Sequence, residues 1–215
     1  GATAHALTAR TVADDLKVLG RASDPELRRF GAHAAIILAA TEQDVDALTQ
    51  AGERALRLDL SAETLEVIAA AWLSLGRMER AITELERGVP RLAPSKRAPL
   101  MLSLSSLELA VGAGRVDRAL LRKGLSRLNG VEVASPALVA QRTYLQAIGG
   151  RVMAWLGSAA PGVGGPGASD EAALRALLPL VDRIDPTDPR GAVVVAGATL
   201  SAGALGLAVG AYDLA

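Results

Sequence analysis

The chain contains no cysteine in its 215 residues. That excludes a disulfide framework, a zinc ribbon and a thiol nucleophile. Histidine is almost as scarce: His5 and His33 are the only two, too few for a multi-histidine metal site. The aromatic residues are Phe30, Trp72, Tyr144, Trp155 and Tyr212. A core so poor in rings must be built from Ala, Leu and Val, which suits closely packed helices better than sheets. Charge of one sign is lacking as well. Twenty-three basic residues balance twenty-three acidic ones, so the basic excess of a nucleic-acid binder is missing.

Half the residues are apolar and about a fifth are charged, the composition of a globular chain. The chain opens on Gly1 with no methionine and no basic-then-apolar leader. Such a start fits a processed form, a tag remnant or a fragment of something longer. Residues 192–211 form one uncharged run of about membrane-span length. It is dominated by Ala and Gly, with only Leu200, Leu205 and Leu207 as large unbranched residues, and no Lys/Arg cluster flanks it. A buried helical hairpin is expected there, with docking on a membrane as the competing reading.

Helix signals dominate the rest. Asp24-Pro25-Glu26 offers a cap, a proline at the first helical position and an acid in the first turn. Ser61, with Glu63 and Thr64 behind it, opens another helix. Ser135-Pro136, Asp188-Pro189 and Ser169-Asp170-Glu171 look like further starts. Gly76-Arg77, Gly112-Ala113-Gly114, Asn129-Gly130 and residues 185–189 read as breakers. Val193-Val194-Val195 is the only β-branched triplet, too little for a strand. The uncharged stretch 157–169 is a Gly/Pro-rich loop or linker, longer than an ordinary helix connection.

The helices recur in pairs. Leu65, Ile68, Ala69 and Trp72 share one helical face before Gly76, and Ala81, Leu85, Gly88 and Val89 share another after it. Gly76 precedes Ala81 by five residues, as Gly114 precedes Ala119 and Gly203 precedes Ala208. Ala47 stands thirty-four residues before Ala81, and Ala119 thirty-eight after it. Small residues at these places let paired helices approach closely.

This helix–turn–helix unit resembles the tetratricopeptide (TPR) repeat family. The resemblance runs over roughly Pro25 to Ala215 and is best at Leu65–Pro94 and over residues 173–215. Lys123 departs from it, standing where a large apolar residue is expected. The implied fold is all-α: a solenoid of four to five helical hairpins, ten to eleven helices in total. The expected divisions are an N-terminal helix and tail over 1–24, repeats over 25–156, the loop at 157–169 and further helices over 170–215. The last unit stops in mid-helix without the polar cap that solenoids need, so a truncated chain or a covering neighbour is expected.

Few residues offer chemistry. The glycine runs lack the Gly-Lys-Ser/Thr ending of a phosphate loop. His33 lies on an apolar helix as a packed or hydrogen-bonded residue, and no serine has a histidine partner in a recognisable triad. Glu79, Glu84 and Glu86 intersperse with Arg77, Arg80 and Arg87 as a solvated face. The Asp182, Asp185 and Asp188 trio lacks the glycine and glutamate of a calcium loop. No catalytic residue, metal site or cofactor is expected.

The TPR resemblance implies a concave groove that binds another protein, as a peptide or amphipathic helix. By register with the family its lining is Glu63, Glu66, Leu73 and Ser74 in one unit, Met101, Leu104 and Glu108 in the next, and Arg190, Val193 and Leu200 in the last. That groove is mostly apolar with acidic spots. It departs from the TPR subgroup that clamps C-terminal carboxylates, because the chain has three lysines and one asparagine, Asn129, and none at those places. The expected function is a non-catalytic scaffold or assembly subunit, alone or in a larger oligomer. The alternatives are a helical sensor or regulatory part of a larger enzyme or transcription factor, and a subunit docking on a membrane complex through 192–211. The bias to Arg over Lys, with abundant Ala and Gly, suggests a GC-rich bacterial genome. The absence of cysteine fits the cytoplasm and the periplasm equally; a cytoplasmic location is expected, with the periplasm as the alternative.

Overall fold

A computed structural model describes Asp15 and residues 18–157. Every regular element among the described residues is helical. In chain order these are α1 (Pro25–Thr41), α2 (Val45–Leu58), α3 (Ala62–Ser74), α4 (Met78–Gly88), two short 3-10 turns (Val89–Arg91 and Pro94–Lys96), α5 (Ala98–Arg115), α6 (Arg118–Asn129) and α7 (Pro136–Gly157). Several sequence expectations lie outside the described residues. They are most of the N-terminal helix, the loop beyond Gly157, the starts at Ser169 and Asp188, Val193–Val195 and the run 192–211.

The expected starts are real caps. Asp24 accepts a hydrogen bond from the Glu26 amide at 2.8 Å, with Pro25 first in the helix. Ser61 accepts from the Thr64 amide at 3.2 Å, and Ser135 from the Leu138 amide at 3.3 Å. Each satisfies a first-turn donor that has no partner within its own helix.

The chain forms two compact units, Gly1–Leu100 and Met101–Ala215. In the first, α1 packs against both α2 and α3, and α3 packs against α4. Arg29 near the start of α1 reaches Asp59 just past the end of α2, at 4.0 Å, so those two helices run in opposite directions. Gly88 at the end of α4 abuts Leu65 at the start of α3, so that pair is opposed as well. Leu65, Ile68, Ala69, Trp72, Ala81, Leu85 and Val89 are all buried, as their spacing predicts.

In the second unit, α5 and α6 meet through Gly112 against Leu121, Gly124 against Leu109, and Arg127 against Glu108. Positions that descend one helix ascend the other. The same holds for α6 and α7, where Arg118 donates to the Leu156 carbonyl and the Gln146 amide to Asn129 Oδ1 at 2.8 Å.

Three helix-to-helix corners share one hydrogen-bond pattern. Gln43, Gly76 and Val116 take left-handed φ angles of 57°, 68° and 59°. Their amides bond back to Ala40, Leu73 and Ala113, and the amides of the next residues, Asp44, Arg77 and Asp117, bond to Ala39, Trp72 and Gly112. This is a Schellman ending whose last residue is already the cap of the following helix.

That pattern corrects three expectations. First, Gly112-Ala113-Gly114 is not a breaker, because α5 continues to Arg115 and turns only at Val116. Gly112 serves instead as a contact point: a Cβ there would lie 2.9 Å from Leu121 Cγ. Second, Ala47 and Ala119 are not equivalent to Ala81. Ala81 is fully buried, Ala47 half-buried and Ala119 exposed. Counted from the corners, the counterparts of Ala81 are Leu48 and Leu121, both buried. Third, Lys123 fills no apolar place. It is exposed on α6 and its ammonium lies 3.5 Å from Glu108.

Candidate interaction surfaces

The first unit carries an apolar face on α1. Leu27, Phe30 and Ile37 recur at helical spacing and remain 45%, 64% and 58% exposed, with half-buried Ala34 between them. The opposing side of the helix is enclosed through Ala32, Ile36 and Ala39. Scattered apolar side chains are ordinary on a protein surface, but three large ones in line on one helix are a candidate contact face.

Neighbouring α3 presents the expected set. Glu63, Leu73 and Ser74 are exposed and Glu66 is half-buried. Exposed Ala70 completes that face. Counting back from each left-handed corner residue makes the α1 and α3 faces equivalent: Phe30, His33 and Ile37 correspond to Glu63, Glu66 and Ala70. The sequence reading missed Phe30 and Ile37, since FGAHAAIILAA is apolar nearly all round and hides which side is covered.

Between these helices runs a polar chain. Ser61 Oγ donates to Thr64 Oγ1 at 3.1 Å, and Thr64 Oγ1 lies 2.9 Å from His33 Nε2. With Ser61 donating, the arrangement that leaves no hydroxyl hydrogen over has Thr64 donating to His33 Nε2, which places the ring proton on Nδ1. Thr64 is fully enclosed, and this chain fastens α1 to α3. It meets the expectation of a hydrogen-bonded His33.

On α5 the expected lining is turned inward. Leu104 and Glu108 are fully buried and Met101 is half-buried. The register expected from Ala119 is two residues out, which rotates the helix face by more than half a turn. Counted from Val116, the positions equivalent to Glu63, Glu66, Ala70 and Ser74 are Ser103, Ser106, Ala110 and Gly114. Ser103, Ala110 and Gly114 are exposed and Ser106 is half-buried. Glu108 instead receives Arg127 through two hydrogen bonds, Nε to Oε2 at 3.1 Å and a terminal nitrogen to Oε1 at 2.9 Å. Arg190, Val193 and Leu200 lie outside the described residues.

Arg80 holds its guanidinium carbon 6.0 Å from the centre of the Trp72 ring, a cation–π distance that ties α4 to α3. Among the described residues, no three His, Asp or Glu side chains converge as a metal site. No helix among them is long and apolar enough to cross a membrane. Comparison with protein-family models, with curated proteins and with solved structures gives no match.

Proposed function

We propose that this chain is a non-catalytic, TPR-like helical scaffold that holds an amphipathic helix or apolar peptide of another protein. The observation that carries the reading is the apolar face of α1, with Phe30 and Ile37 more than half exposed beside the acidic face of α3. In a solenoid the first helix of each hairpin lines the inner surface, and α1 and α3 hold that place here. Three features support the solenoid: one corner geometry used three times, α1 packed on both α2 and α3, and small residues where paired helices touch. Within it, Phe30, Ile37, Ala70 and Leu73 supply the apolar contact, and Glu63 and Glu66 favour basic residues at the edge of the ligand.

The test compares capture from native lysate by the natural chain, by Phe30→Asp/Ile37→Asp, and by a control, Ala119→Asp, on exposed α6 surface. The reading expects a defined partner that the natural chain and the control retain and the double variant loses, with helical circular dichroism unchanged. A partner set identical for all three chains sinks the α1 face. Glu63→Lys/Glu66→Lys, run in parallel, reports on the acidic edge.

A further inference from the structure

A concave feature of the first unit lies on a different side of α1 from its apolar face. It is a cleft of about 450 Å³ between α1 and α2, lined also by Gly20 and Arg21 ahead of α1. That size lies within the range of small-molecule sites. Its floor is made of small apolar residues, with Ala32, Ala35 and Ala39 from α1 and Ala47 and Ala51 from α2. Small side chains leave the room that a ligand chain would fill.

The charges around it are unequal. Arg21, Arg28 and Arg54 line the cleft, against Glu42 as the only acid. None of the three arginines makes an ion pair with a described residue. Arg28 is half-buried, and Arg21 and Arg54 are exposed. Because α1 and α2 run in opposite directions, Arg28 near the start of α1 and Leu58 at the end of α2 share one end of the cleft. Glu42 and Ala47 share the other. At 1.5 Å per residue the helix from Arg28 to Ala39 is roughly 16 Å long. The site is therefore polarised, with a cationic mouth, an apolar trough and an acid at the far end.

We propose that this cleft binds a single-chain aliphatic anion, with its charged head among Arg21, Arg28 and Arg54 and its chain along Ala35, Ala51, Ala39 and Ala47. An arginine fork suits a carboxylate or phosphate head, and contacts with guanidinium groups that hold no ion pair among the described residues add charge-assisted hydrogen bonds. The alanine trough removes the chain from water, with Gln50 as the one uncharged polar side chain along it. Glu42 at the far end disfavours an anion in the reversed orientation. The site is independent of the α1 face offered to a partner, which lies on the other side of Gly31 and Ala35.

The test is calorimetric titration of the full chain with dodecanoate, held below its micelle concentration, beside dodecanol and acetate. Saturable binding of one dodecanoate per chain is expected, at least tenfold tighter than either control, since neither head nor tail alone fills the site. Arg28→Ala/Arg54→Ala should weaken it at least tenfold, and Ala51→Leu should block the trough. Phe30→Asp/Ile37→Asp should leave it unchanged, which separates this site from the protein-binding face. No saturable binding, dodecanol binding as well as dodecanoate, or an arginine double variant that binds normally would each overturn the proposal. The arginine pair gives the decisive reading if Ala51→Leu loses its helical signal.

Discussion

Glu108 on α5 and Arg127 on α6 form a two-pronged ion pair at 2.9 and 3.1 Å around a carboxylate with no exposed surface. Lys123 approaches the same carboxylate from one turn earlier on α6. A carboxylate taken fully out of water needs such partners, and its loss of hydration is offset only while they remain. Arg127→Met should cost at most about 3–5 kcal/mol, the usual penalty for a buried charge deprived of its partner, because Lys123 still faces the carboxylate. Glu108→Leu/Arg127→Met should recover much of that loss. The check is a double-variant cycle, with both single variants, read from the urea midpoint; a double-variant loss equal to the sum of the two single losses would mean the pair is not coupled.

The corners predict that glycine is favoured at each left-handed position. Val116 is β-branched, left-handed and 60% exposed, so its side chain gains little burial for its strain. Val116→Gly should stabilise the chain by about 1–2 kcal/mol, the cost of the left-handed conformation for an L-residue. Gly76→Ala at the equivalent corner should destabilise it by about 1 kcal/mol. Paired thermal melts decide this, and a shift of the same sign in both variants would contradict the shared geometry.

The caps make a third comparison. Asp117 accepts from the amides of Ala119 and Leu120 at 2.9 and 3.0 Å, and Asp44 accepts from Ala47 at 2.9 Å. Arg77 holds the same place before α4 and makes no side-chain cap bond. Arg77→Asp should therefore stabilise by roughly 1 kcal/mol, and Asp117→Ala should cost about 1–2 kcal/mol. Denaturant unfolding of the two variants is the measurement; no gain at Arg77 would mean that its backbone departs too far from the cap geometry.

Two further glycines separate close packing from open helix. A Cβ on Gly88 would meet Leu65 Cδ2, with Leu65 Cδ1 at 2.7 Å and Cγ at 3.1 Å, and Leu65 is fully buried. Gly88→Ala should cost about 1–3 kcal/mol by overpacking. Gly114, within α5, has nothing within 4 Å of its would-be Cβ. There Ala should stabilise by about 0.5–1 kcal/mol through helix propensity alone. The comparison is made by melting temperature, and equal effects would show that Leu65 relaxes freely.

The helix starts were the most legible part of the chain. Asp24, Ser61 and Ser135 act within three residues of themselves, so their capping bonds follow from short sequence words. The inner faces of α3 and α4 were legible for a related reason: Leu65 to Trp72 and Ala81 to Val89 each repeat apolar residues at one helical period. The face of α5 was not. Leu104 and Glu108 looked available because the count began from Ala119, whereas the left-handed residue that sets the phase is Val116. No residue preference marks valine or Gln43 for that conformation.

Alone, then, the sequence determined the all-helical character of the described chain, the caps that begin its helices, and the thiol chemistry that its residue types rule out. These are properties of composition and of bonds spanning a few neighbours. Tertiary structure decided which face of each helix is covered, and so left Phe30 and Ile37 exposed while enclosing Glu108. It also decided where Arg28 and Arg54 meet across a common cleft. The physical reason is rotation about the helix axis: each residue of slip turns a face by about 100°, and only contact with another helix sets that phase.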